Sequence, residues 1–161
     1  MQKSKKIAII TTIFTLLLWT GCQEEQSNTT EQSTQSTQPK ISDKPFIDHV
    51  KWVKDLDTAF KLGKEQQKNI IVMVDSKGCR WCIRMEHETF NDPKILEKFK
   101  NYIMVKVSRE DPKSRSRLPE FKHVPIMFFY KWDGELIDNL RGFYQAPDLL
   151  GYIQELEEYL E

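Results

Sequence analysis

The sequence predicts a mixed α/β domain in which a sheet, part parallel and part antiparallel, is flanked by helices. Three observations predict it. Ile70 to Val74 is an unbroken apolar run rich in β-branched residues, the pattern of a strand buried on both faces. Helical stretches lie on either side of that run, so the next strand returns by a parallel crossover. Further on, Ile126 to Tyr130 and Glu135 to Leu140 flank a turn at Asp133-Gly134, the signature of an antiparallel hairpin.

Taken in order, Trp52-Val53 begins a short strand, and Asp55 to Gln67 reads as a helix because Leu56, Ala59, Phe60 and Gly63 share one face. The Ile70–Val74 strand is broken by Ser76-Lys77-Gly78, and Cys79 opens a new helical stretch. Asp92-Pro93 then punctuates the chain: Asp suits an N-cap and Pro the first helical position, so Pro93 to Phe99 forms a fresh helix. Tyr102 to Val107 alternates like a strand, and a polar loop leads to the hairpin. Leu149, Ile153, Leu156 and Leu160 mark one face of a terminal helix. The order is β-α-β-α-β, then β-β-α.

The 161 residues do not all belong to this domain. Lys3, Lys5 and Lys6, the apolar run Ile7 to Trp19 and then Thr20-Gly21-Cys22 read as an export signal over residues 1–21, since a membrane span needs roughly 20 apolar residues. The small residues before Cys22 resemble a lipobox, which implies cleavage there and acylation of Cys22. Trp19 departs from the usual Leu of that signal. An ordinary signal with an incidental cysteine is the plainer alternative. Residues 22–45 form the expected tether: positions 23–39 hold only Gln, Glu, Ser, Thr, Asn and Pro39, too polar to offset their ordering entropy. Residues 46–161 are long enough for one domain with one core.

Without residues 1–21 the chain carries 21 basic and 24 acidic side chains, a net charge near −3. No concentrated basic face points to nucleic acid, and the stretch Lys113 to Arg117 reads as a solvated loop. Three cysteines are present, and with Cys22 assigned to the anchor only Cys79 and Cys82 remain. So close a pair constrains the unfolded chain little, which favours a chemical role over a stabilising one.

A redox dithiol needs one sulfur with a lowered pKa, because the thiolate is the attacking species. A helix start offers unpaired N–H groups and a positive dipole end, which favour an anion. Cys79 at the start makes it the nucleophile, and Cys82, one turn inside, the resolver. Arg80 reads either as a cation favouring that thiolate or as a solvent-facing charge. Trp81 reads either as a flat apolar surface offered to partners or as packing on its own domain. The same cysteines with His87 or His123 (His49 being the third histidine) could instead form a zinc or copper(I) site, although structural zinc generally takes four protein ligands.

Residues 71–93, IVMVDSKGCRWCIRMEHETFNDP, resemble the active-site segment of thioredoxin-like proteins, in particular the C-terminal periplasmic domain of DsbD and related secreted thioredoxin-family lipoproteins. The shared features are a strand, Cys-x-x-Cys, an acid four residues later and Thr-Phe-x-Asp-Pro. The resemblance implies a thioredoxin-like fold and a Cys79–Cys82 redox disulfide. It makes Glu86 an acid that handles the proton of Cys82; by helix spacing Glu86 shares that residue's face, and an exposed helix glutamate is the alternative. It also implies that Pro125 is the family's cis-proline, so that Val124, Pro125 and Trp81 meet the substrate strand. Many thioredoxins carry a buried acid six residues before the first Cys. Met73 stands there, and Asp75 two residues later is not an evident substitute.

The expectation is an extracytoplasmic thiol–disulfide oxidoreductase acting on protein thiols and disulfides. It is monomeric, needs no cofactor or metal, is lipid-anchored in a bacterial envelope (periplasmic if Gram-negative), and is recharged by a membrane electron donor or acceptor. A soft-metal-handling protein is the alternative.

Overall fold

The structure, a computed structural model, describes residues 49–160. The export signal, Cys22, the tether and the domain start at residue 46 lie outside the described residues. The elements are β1 (Trp52–Val53), α1 (Leu56–Gln66), β2 (Ile70–Asp75), α2 (Arg80–Arg84) running into a π turn (Met85–Thr89), α3 (Pro93–Phe99), β3 (Ile103–Ser108), α4 (Pro112–Arg115), β4 (Ile126–Tyr130), β5 (Leu136–Arg141) and α5 (Ala146–Leu160). The strands form one sheet in the order β1-β3-β2-β4-β5. β2 and β1 run parallel to β3, whereas β4 is antiparallel to both β2 and β5. This is the mixed sheet of the thioredoxin fold.

β2 lies at the centre because every side chain from Ile70 to Val74 is removed from water, each burial contributing about 1.5–3 kcal/mol. Alternation along the strand divides the core in two. Ile71 and Met73 pack with Cys82, Met85, Phe90, Ile95, Leu149 and Ile153, beneath α2, α3 and α5. Ile70, Val72 and Val74 pack with Leu56, Ala59, Phe121 and Phe128 on the opposite face.

The capping signals operate as the chemistry requires. Asp55 accepts from the Thr58 amide at 2.8 Å, and Asp92 accepts from the amides of Lys94 and Ile95 ahead of Pro93. Three details differ from the sequence reading. β3 is a buried run rather than an alternating strand, since it lies between β1 and β2 with both faces covered; Lys106 is its interrupted position. The polar loop before β4 contains α4, capped by Asp111 ahead of Pro112, the same Asp-Pro signal that opens α3. Finally, the helix after Cys79 is α-helical for five residues only before widening into the π turn, closed by the Phe90 amide donating to the Met85 carbonyl at 2.9 Å.

Candidate active site

β2 ends at Asp75, and Ser76-Lys77-Gly78 turns the chain, with Gly78 at φ 74°, a left-handed conformation that suits glycine. Cys79 is then the N-cap of α2: its backbone is extended, and its Sγ accepts from the Cys82 amide at 3.2 Å. The two sulfurs are joined at 2.09 Å, with the Cα atoms 5.3 Å apart. Burial distinguishes the two sulfurs, since Cys79 is partly exposed and Cys82 is only 2% exposed, packed in one cluster with Met73 and Met85.

The opposite wall comes from the start of β4. Val74 pairs with Ile126, so Pro125 sits across from the end of β2, close to where the cysteine turn begins. The Val124–Pro125 peptide is cis. The Pro125 carbonyl accepts from the Gly142 amide at 2.8 Å, which ties the β4 entrance to the loop leaving β5. That loop carries Phe143, whose ring lies 5.4 Å from Trp81. The Arg84 guanidinium stands 4.6 Å from the Phe143 ring centroid and 5.6 Å from that of Trp81, and Glu88 holds it with bonds of 2.9 and 2.8 Å. Trp81 nevertheless stays 43% exposed. A fixed, partly apolar shelf therefore flanks the disulfide.

Beneath the cysteines lies a small charged network. Glu86 is the second residue of the π turn, and its carboxylate pairs with Lys106 at 3.1 Å; it is neither fully buried nor the exposed helix glutamate weighed above. Lys106 is in register with Met73 on the neighbouring strand, so it projects from the face that carries Met73 and Cys82. Asp75, two residues beyond Met73, shares that face. Burial pushes the Asp75 carboxyl above the ordinary aspartate range, against the opposing pull of Lys106. Met73 itself is fully buried in apolar company.

The structure thus joins Cys79 with Cys82 and sets Trp81 beside them. It brings Val124-Pro125 to the same end of the sheet and places Glu86 below, on Lys106. The sequence reading missed Lys106, Arg84 and Phe143. Lys106 carried a visible signal, a lone cation inside the apolar run Ile103–Val107. Among the described residues, no group of three or more His, Cys, Asp or Glu side chains is placed to hold a metal ion, and no helix is long and apolar enough to cross a membrane.

Residues 32–120 match the Thioredox_DsbH family, described as a protein of unknown function, DUF255. The chain belongs to this family. Solved structures with the same fold include a DsbH oxidoreductase, 14% identical, over 66% of this chain and 83% of that one, with a TM-score of 0.53. The oxidised C-terminal domain of DsbD from Neisseria meningitidis is 19% identical over 62% of this chain and 91% of its own, again at 0.53. A proposed disulphide-isomerase from Bacteroides thetaiotaomicron is 21% identical over 71% of this chain and 98% of its own, at 0.59. No curated protein matches the chain in sequence. This DsbH-type chain has a thioredoxin-like, disulfide-oxidoreductase-type fold with a Cys79–Cys82 Cys-x-x-Cys pair.

Proposed function

We propose that this DsbH-type protein is an extracytoplasmic thiol–disulfide oxidoreductase that exchanges disulfides with protein partners. One observation carries the reading: an accessible first sulfur caps a helix while its buried neighbour lies within bonding distance. In the reduced protein the Cys79 thiolate attacks a partner disulfide, forming a mixed disulfide and expelling one partner thiolate. The Cys82 thiolate then attacks the Cys79 sulfur and releases the second partner thiol. Two electrons pass to the partner and the Cys79–Cys82 disulfide forms; the reverse sequence oxidises a partner dithiol. Glu86, held against Lys106, takes the proton of Cys82 as it becomes the attacking group. Trp81, Val124 and Pro125 line the face that receives the partner strand.

The domain acts as a monomer on a tether of residues 22–45, anchored through an acylated Cys22 after loss of residues 1–21. It is recharged by a membrane electron donor or acceptor. The test uses the full chain with a model protein disulfide. Cys79→Ser abolishes exchange, whereas Cys82→Ser accumulates mixed disulfides visible on non-reducing gels. A Cys79→Ser protein with full activity would overturn the assignment. Cys22→Ser abolishes incorporation of labelled palmitate in growing cells; retained label would disprove the anchor.

A further inference from the structure

The end of the sheet that carries the disulfide is basic, although the chain as a whole has equal numbers of acidic and basic residues. Lys77 and Arg80 bracket Cys79 in the chain. Lys122 lies three residues before Pro125, and Arg141 faces Ile126 across the β4–β5 ladder. The Arg109 amide donates to the Asp75 carbonyl at 2.8 Å and its guanidinium to the Lys122 carbonyl at 3.3 Å, which fixes the 122–125 loop beside β2. Lys77, Arg80, Lys122 and Arg141 are all exposed, and the ion pairs among the described residues include none of them.

The acids at this end are mostly engaged. Glu86 pairs with Lys106, Glu88 holds Arg84, and Glu110 accepts from the Ser108 hydroxyl. Asp75 is partly buried, and Glu120 is the exposed exception. Other acids cluster elsewhere, as Asp133 and Glu135 at the β4–β5 turn and Glu155, Glu157 and Glu158 on α5. Around the dithiol, exposed cations therefore outnumber unengaged acids.

We infer that the protein partner presents its cysteines within an acidic segment, carboxylates flanking the sulfur that meets Cys79. This rests on the exchange reading above and names its substrate class. Lys77 and Arg80 meet acids on one side of the partner sulfur, Lys122 and Arg141 on the other, while the Trp81–Phe143 shelf takes an apolar side chain. A membrane surface fits the cations less well, since seating them on headgroups would cover the sulfur that has to be reached.

The experiment measures reduction of disulfide-bonded peptides of equal length, with the cysteines flanked by Asp/Glu, by Gln or by Lys, together with a small uncharged disulfide. The reduced full chain is the reagent. At low ionic strength the acidic peptide reacts roughly tenfold faster than the basic one, and the preference collapses at high salt. In Lys122→Glu/Arg141→Glu the ratio of acidic to basic rates falls or inverts, and Lys122→Gln/Arg141→Gln gives an intermediate ratio. Equal rates for all peptides, with exchange intact, overturn this inference alone. Failure to reduce even the small disulfide overturns the exchange reading with it. Anionic phospholipid vesicles that block exchange, when peptide rates show no charge preference, assign the cations to a membrane and overturn the proposal.

Discussion

Replacing Lys106 by Met tests the charged network below the disulfide. The Lys106–Glu86 contact is 3.1 Å, with side-chain exposures of 29% and 15%. At an effective dielectric of about 20, a unit pair at that separation attracts by about 5 kcal/mol before desolvation is charged against it. Exposed pairs retain about 0–1 kcal/mol, and breaking a buried pair costs about 3–5, so this half-buried pair couples by about 1–3 kcal/mol. Met keeps the stem that packs near Trp52, whose ring lies 5.5 Å from the Lys106 ammonium. The loss of that ring contact is removed by a cycle of Lys106→Met, Glu86→Gln and the double variant, measured by urea unfolding at constant slope. The double variant is expected to lose less stability than the sum of the singles. In Lys106→Met the Asp75 carboxyl loses the downward pull of Lys106 and rises further, so the pH profile moves upward. Additivity within about 0.5 kcal/mol together with an unmoved pH profile would refute the network.

Other expectations follow from single contacts. Burial raises the Asp75 carboxyl, so the folded state holds that proton more tightly than the unfolded chain. Stability therefore falls as pH rises from the ordinary aspartate range through the raised value, and Asp75→Asn flattens that segment of a Tm-against-pH curve. Gly63→Ala sets a Cβ 2.7 Å from Ile70 Cδ1 and 2.9 Å from Cγ1, with the Lys68 carbonyl at 3.1 Å. Ile70 is fully buried and cannot yield, so overpacking outweighs the helix preference of Ala and lowers stability by about 1–3 kcal/mol in denaturant titration. Asp92→Ala removes the oxygen that the Lys94 and Ile95 amides donate to and costs about 1 kcal/mol in the same assay.

Elements whose pattern is set by local chemistry are legible in the sequence. Ile70–Val74, the Asp92-Pro93 helix start and the Asp133-Gly134 turn each carry a signal within a few residues. The helix after Cys79 was legible in position and not in form. Its π turn depends on placing both Met85 and Phe90 in the core and Thr89 against the Tyr144 carbonyl at 2.5 Å, a demand made by packing and invisible to spacing at 3.6 residues per turn. α4 was missed although Asp111-Pro112 repeats the signal of Asp92-Pro93, because its four residues show no apolar periodicity.

The site shows the same division. The cysteines and their order are written in the motif, whereas the partner of Glu86 is set by strand register, which joins residues 20 apart in sequence. Register also explains how the domain accommodates Met73 on β2 opposite a lysine. The position opposite Met73 on β3 is Lys106, and a lysine on a covered face requires an anion. With thioether in place of carboxylate on β2, that anion comes from Glu86 on the π turn, and Asp75 adds a second carboxyl at the strand end. The carboxylate facing Lys106 therefore stands on the helical segment that carries the cysteines and not on β2, so under the proposed exchange any shift of that segment on opening the disulfide moves carboxylate and sulfur together.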